Sequence, residues 1–148
     1  MGRRQRTTYS ITPDGHAALR EWLATPPRAT TLECEALLRI MLADFADPSQ
    51  ITVALAQVRA DAHAILEVGR TVGPEYLRGD SPFQDQLHVR AHVLDFLSNH
   101  ALMLLEWADR TEAITSQWPS VSSEQRQTTA RKLIEACLGR YPEPLVAD

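Results

Sequence analysis

Glycine is scarce in this sequence, with 6 scattered among 148 residues. The apolar residues, which make up 44% of the chain, recur mostly at the spacing of an α-helix. Charged residues contribute 23%, so the composition is that of a folded domain rather than a disordered chain. These features together predict an all-α fold of ordinary domain length.

Long apolar runs are absent as well. No segment approaches the roughly 18 apolar residues that a membrane-spanning helix needs, and no apolar stretch follows the N-terminal arginines as it would in a secretory signal. We therefore expect a cytoplasmic protein. The two cysteines, Cys34 and Cys137, lack a metal-binding spacing and are expected to be reduced, buried thiols.

Catalytic motifs are also missing, since neither a Gly-rich phosphate loop nor a Gly-x-Ser-x-Gly motif occurs. His88 and His92 are four residues apart, and imidazoles at that spacing on a helix can ligate a metal. However, the segment does not have the HExxH pattern, and solvated or interface-rim histidines are the simpler interpretation. We predict no enzyme activity, no cofactor and no metal, and keep an enzyme or metal protein centred on these histidines as an alternative.

Charge is distributed unevenly along the chain. Residues 1–31 carry five arginines and two acidic residues, whereas residues 32–148 carry 10 basic and 17 acidic residues. An acidic body is repelled by a phosphate backbone. Any contact with nucleic acid must therefore come from the N-terminal segment.

That N-terminal segment has an alternating pattern. In residues 3–11, Arg4 and Arg6 fall on one face and Tyr9 and Ile11 on the other, which predicts a β-strand. Thr12 then has the properties of a helix N-cap, with Pro13 at the first helical position. The predicted helices cover residues 13–24, 32–46, 48 to about 69, 82–117 and 123–139, with a loop over 69–82.

The helix predicted for residues 82–117 has two apolar stripes, although a surface helix needs only one. The first contains Leu87, Leu94, Leu97, Ala101, Leu104 and Ala108; the second contains Val89, Val93, Phe96, His100, Met103 and Trp107. So small a domain cannot surround this helix with its own elements, which favours a two-fold dimer over a monomeric bundle. We assign dimerisation to Leu37, Leu38, Met41, Leu87, Leu94, Leu97, Ala101 and Leu104.

Three residues of the second stripe suggest a ligand site. Phe96, Met103 and Trp107 could line a pocket between two subunits, where a flat aromatic effector would stack and be buried. The alternative is that these side chains are ordinary core residues.

Two stretches of the chain resemble the PadR family of bacterial transcriptional regulators, in the form with a long Vir-like C-terminal domain. Residues 8–15 (TYSITPDG) and 17–24 (AALREWLA) are similar to the family's last wing strand and linker helix. Residues 37–44 (LLRIMLAD) with Asp47-Pro48 resemble the start of its C-terminal domain. The segment from Pro82-Phe83 through Glu106-Trp107-Ala108-Asp109 to Trp118-Pro119 resembles its long dimerisation helix.

The resemblance implies a winged helix-turn-helix, a dimer built from C-terminal helices, and repression relieved by small molecules. Residues 1–27 are then the remnant of a winged-helix domain, residues 32–119 the dimerisation and effector domain, and residues 120–148 an extra helix and a tail. The helices that precede the wing in the family are missing here, so we expect a truncated regulator. Arg3, Arg4 and Arg6 would contact DNA phosphates, and specific DNA binding would require the missing helices.

A second hypothesis needs no DNA. The chain could be a helical protein-interaction module, or a titrating partner that pairs with full-length relatives, acting through its apolar stripes.

Overall fold

The computed structural model describes residues 9–45 and 47–143. Within these residues the chain forms five α-helices and no strand, which confirms the all-α fold. The helices are α1 (Pro13–Leu23), α2 (Glu35–Met41), α3 (Pro48–Arg78), α4 (Leu87–Thr115) and α5 (Ser123–Leu138). The chain divides into two compact units between Glu33 and Cys34.

The first unit contains α1, which begins where the capping residues predict. The hydroxyl of Thr12 accepts a hydrogen bond from the backbone N–H of Gly15 at 3.1 Å, and Pro13 occupies the first helical position. Residues 9–11 do not form a strand. The remainder of the predicted strand, with Arg3, Arg4 and Arg6, lies outside the described residues.

The second unit begins with α2, which is shorter than predicted and continues into a 3-10 turn at Ala43–Phe45. The buried side chains of α2 and of this turn are small: Ala36 and Ala43 join the core formed by α3. The helical pattern of residues 32–46 predicts that the larger apolar residues face inward. This prediction is wrong, because all of them are exposed: Leu37, Leu38, Met41, Leu42 and Phe45. The physical reason is that α2 approaches α3 through its small residues, which turns the bulky stripe outward.

Helix α3 continues to Arg78, through most of the predicted loop at residues 69–82. Pro74 lies inside the helix, and the residue before it is Gly73, which lacks the Cβ that would clash with the proline ring. Helix α3 ends at Gly79, whose φ of +79° is the left-handed conformation favoured by glycine at a helix C-terminus. A prediction from the glycine and proline positions alone therefore places the end of this helix about nine residues too early.

Helices α3 and α4 form an antiparallel hairpin, closed by the turn that includes the 3-10 segment Gln84–Gln86. The facing residues follow a heptad pattern, as in a coiled coil. Those on α3 are Ile51, Leu55, Val58, Ala62, Ile65, Gly69, Val72 and Tyr76; those on α4 include Leu87, Leu94, Ala101, Ala108 and Thr115. Ala62, Ala101 and Ala108 have no exposed surface, so the two backbones approach closely at these small side chains.

An ion-pair network joins the two helices of the hairpin. The Arg59 guanidinium donates to Asp109 at 2.9 Å and to Glu112 at 2.6 Å, across 50 and 53 residues of sequence. Burial opposes the charge of Arg59, but these hydrogen bonds and the two carboxylate charges outweigh it and raise its pKa above the ordinary value. Arg59 therefore stays charged and fixes the register of α3 on α4.

Replacing Arg59 with methionine should lower the free energy of unfolding by about 1–2 kcal/mol, because two neighbouring carboxylates lose their common partner. Urea unfolding followed by circular dichroism measures this change. The matched control is Arg70→Met, which removes an exposed ion pair with Glu67 on the same helix and should cost roughly 0.5 kcal/mol or less. Equal losses in the two variants would contradict a register role for Arg59.

Helix α5 follows a corner that contains the 3-10 segment Trp118–Ser120. Trp118 is partly buried and packs against the core, which anchors this corner. Ser122 and Gln125 form a capping box: the Ser122 hydroxyl accepts from the Gln125 N–H at 3.2 Å, and the Gln125 side chain accepts from the Ser122 N–H at 2.8 Å. The predicted start of this helix is confirmed.

Candidate subunit interface

The second apolar stripe of α4 is the most conspicuous unpartnered surface of the described residues. Phe96 is 68% exposed, Val93 59%, Val89 51% and Met103 48%. These residues are separated by three, four or seven positions, so they lie on one side of the helix. A stripe of this length and composition is costly to leave in contact with water.

The burial of the second stripe differs between the two ends of α4. At its C-terminal end, Trp107 is partly buried and packs against the core cluster that includes Ala36, Ala43 and Leu55. At its N-terminal end nothing in the described chain covers it to a similar extent. Between the two ends, the His100 ring stacks on Phe96, with centroids 6.2 Å apart and an angle of 5° between the ring planes. The stripe is therefore a core surface that continues into solvent.

The first stripe of α4 faces α3 within the same chain. Ala101 is fully buried, Leu104 packs against the core, and a Cβ on Gly69 of α3 would lie 3.3 Å from Leu94 Cδ1. Leu87 is also half-buried, whereas Leu97 remains 41% exposed. Four of the residues assigned to dimerisation thus stabilise the hairpin of a single chain. The apolar surface that remains exposed to a partner consists of the second stripe and of Leu37, Leu38 and Met41 of α2.

The pocket residues predicted from the sequence, Phe96, Met103 and Trp107, lie along this stripe rather than around a closed cavity of one chain. Two clefts elsewhere were not anticipated. One, of about 280 Å³, lies at the corner between α4 and α5 and is lined by residues that include Trp118, Val121 and Arg126. The other, of about 250 Å³, is lined by residues that include Arg39, Phe45 and Ile51. Both clefts are lined in part by residues of 3-10 turns, and no pattern in the sequence predicted these turns.

His88 and His92 are exposed on a polar side of α4 that flanks the apolar stripe, since His92 is three residues after Val89 and four before Phe96. Their neighbour Asp95 accepts hydrogen bonds from the Asn99 side chain at 2.9 Å, through its backbone carbonyl and its carboxylate. In the part of the chain that the structure describes, no three histidine, cysteine or acidic side chains are grouped so that they could hold a metal. Cys34 and Cys137 are free and half-buried.

A capping carboxylate stabilises the start of α3, at the end of the hairpin where α2 packs. Hydrogen bonds from the hydroxyl and backbone N–H of Ser49 hold the pKa of Asp47 below its ordinary value of 3.8. A depressed pKa in the folded state means that the cap is fully present above the ordinary value and is lost as the pH falls through the lower one. Mild acid therefore leaves this end of the hairpin capped.

The described helices include none that is both long enough and apolar enough to cross a membrane. No family model matches the chain, and no curated protein or solved structure is detectably similar to it.

Proposed function

We propose that this chain is the dimerisation and effector part of a PadR-like transcriptional regulator. In this proposal, the second unit pairs with a second copy through the exposed stripe of α4, and the N-terminal arginines contact DNA phosphates. The sequence resemblance supports the regulatory role. The exposed stripe supports the pairing, because a continuous apolar surface of this length is disfavoured in water.

The observation that carries the proposal is the continuity of the stripe from the core to the surface. Trp107 is covered within the chain, while Phe96 and Val93, roughly three and four turns away along the same face, are not. A second copy that brings its own stripe to this face buries both stripes at once, as a two-fold contact does. The exposed residues of α2, such as Met41, can extend the same contact toward the roughly 800 Å² per partner of a stable interface.

Sedimentation velocity between about 1 and 100 μM tests the pairing. We expect a species of twice the 16.6 kDa chain mass at micromolar concentration. A chain that remains monomeric over the whole range would overturn the proposal.

A DNA measurement separates the regulator from a helical interaction module. The triple variant Arg3→Ala, Arg4→Ala and Arg6→Ala should weaken binding to duplex DNA and reduce its salt dependence. The slope of log K against log salt falls by roughly 0.9 for each phosphate that the protein no longer neutralises, and so by up to about 3 in total. Fluorescence anisotropy of a labelled duplex between 50 and 200 mM salt measures both effects.

The control for this measurement removes the same charge from the second unit. The changes Arg70→Ala, Arg78→Ala and Arg131→Ala should leave the slope unchanged, because these arginines belong to the acidic part of the chain. If both triple variants bind DNA as the parent does, the N-terminal arginines have no DNA role. A chain that dimerises in that case is an interaction module.

A further inference from the structure

His100 is the one residue of the second stripe that can gain or lose a proton near neutral pH. Its side chain is half-buried, and its ring stacks on that of Phe96. In the proposed dimer this stripe is the contact between the two copies, so the imidazole would lie inside that contact. Whether the ring can carry a charge there depends on the groups around it.

On its own helix, His100 is surrounded by apolar side chains. The four residues that lie three or four positions away on α4 are Phe96, Leu97, Met103 and Leu104. The nearest acidic residues of this helix, Asp95 and Glu106, lie on another side and are engaged by Asn99 and Arg110. Helix α4 therefore places no charged side chain next to the ring.

Helix α3 packs along this part of α4. Arg59 hydrogen-bonds Asp109, and Gly69 lies beside Leu94, so residues 59–69 of α3 run alongside residues 94–109 of α4. The charged or titratable side chains of this part of α3 are Arg59, Asp61, His63 and Glu67.

These groups are engaged elsewhere or exposed. Arg59 is held by two carboxylates of α4, Asp61 accepts a hydrogen bond from a glutamine of its own helix at 2.8 Å, and the other two side chains are exposed. On α2, Glu35 pairs with Arg39. The ion pairs of the described residues all join arginines to carboxylates, and none of them includes His100. A proton added to this ring therefore meets no carboxylate partner.

Pairing of two stripes would remove water from both imidazoles. Because a two-fold contact brings the same stripe from each copy, His100 would face apolar side chains or a second imidazole. A neutral imidazole tolerates such a site, whereas an imidazolium loses its hydration and gains no carboxylate in return. The face of Phe96 attracts an imidazolium, but this contact already exists in the separate chain and does not offset the loss.

We propose that His100 makes the pairing of the two copies depend on pH, so that they associate while both imidazoles are neutral and separate when acid protonates them. This inference rests on the proposed dimer and adds its regulation. The separate chains bind protons at this position and the dimer does not, so association weakens as the pH falls. Histidine side chains in water set the range, near pH 6.5.

The overall charge of the chain predicts the opposite trend. The formal net charge is −4 at pH 7, and the sequence pI is about 5.7. Two copies therefore repel each other less as the pH falls toward the pI. A dimer that weakens over this range would follow a specific group rather than the net charge.

Sedimentation velocity of the full chain at pH values of about 8, 6 and 5.5, at constant ionic strength, tests the proposal. If each copy must lose one proton to pair, the dissociation constant should rise by about 15-fold from pH 8 to pH 6 and by about 100-fold at pH 5.5. Circular dichroism at each pH checks that the helices persist. The variants His100→Gln and His100→Leu keep this position neutral, and their dissociation constants should stay within about threefold over the same range.

The matched controls are His63→Gln and His92→Gln. His63 is exposed on α3, and His92 is exposed on the polar side of α4 that flanks the stripe. Each variant removes one imidazole and should keep the full response to acid. A response that survives in both His100 variants, or that is lost in His92→Gln instead, would overturn the assignment to His100.

The measurement at pH 8 distinguishes this proposal from the dimer itself. A chain that dimerises at pH 8, with a dissociation constant that stays constant or falls toward pH 5.5, overturns the pH dependence alone. A chain that is monomeric at pH 8 over the whole concentration range overturns the dimer, and the pH dependence with it.

Discussion

Replacing Leu55 with alanine should lower the free energy of unfolding by about 2–5 kcal/mol, the largest stability loss that we expect from a single change in this chain. Leu55 has no exposed surface and is the largest fully buried side chain among the described residues. It lies where α2, α3 and α4 meet, and the small residues around it, such as Ala54 and Ala108, cannot expand to fill the space. The loss therefore includes the cavity as well as the transfer free energy of the deleted atoms.

The matched control for this change is Leu77→Ala on the same helix. Leu77 is 89% exposed, so the same deletion should change stability by less than about 0.5 kcal/mol. Urea unfolding followed by circular dichroism, at a fixed chain concentration, gives both values. A Leu55 variant that unfolds at the same urea concentration as the Leu77 variant would contradict the packing described for the hairpin.

Replacing Phe96 with glutamate should weaken self-association by 100-fold or more. The substitution removes the most exposed aromatic ring of the α4 stripe and puts a charge where, in the proposed dimer, the two copies meet. A carboxylate buried in that contact would lose its hydration, and it would face a second carboxylate if the two-fold axis passed nearby, so desolvation and like-charge repulsion would add together. The helix itself should persist, because Phe96 lies away from α3. Sedimentation velocity gives the dissociation constant, and circular dichroism gives the helix content.

Leu102→Glu is the control for the association measurement. Leu102 is 53% exposed on α4 but lies outside both apolar stripes, so its replacement adds the same charge to the same helix on another side. We expect it to leave the dissociation constant within about threefold of the parent value. If the two variants dissociate equally, the loss reflects total charge, and the stripe is not the interface.

The starts of α1, α3 and α5 could be predicted because their signals are local, whereas α2 and α4, which have no side-chain cap, begin three and five residues later than predicted. A threonine, aspartate or serine followed by proline or by a residue that completes a cap satisfies the first backbone N–H groups wherever the helix goes next. Thr12, Asp47 and Ser122 all act in this way in the structure. The helix ends were harder to predict. The extension of α3 beyond Gly69 depends on its packing against α4, and no local sequence pattern indicates that packing.

The candidate interface could be predicted only in part. The sequence shows two apolar stripes on α4 but does not say which one faces α3. Small residues decide this, because Ala101 and Ala108 let the hairpin close, while Phe96 and Met103 would hold the helices apart. The heptad of α3 continues through Gly69 to Tyr76 and shows how long the hairpin is, and the assignment of Gly69 as a helix end concealed that length.

The hairpin of α3 and α4 also has a kinetic consequence. Its two helices are neighbours in sequence and are joined by a turn of eight residues, so the contacts next to the turn close short loops and form quickly. Docking of a second copy in the proposed dimer is bimolecular, so its rate depends on the chain concentration. In that dimer each newly made chain would complete its hairpin first and meet its counterpart afterwards, with one apolar stripe already buried.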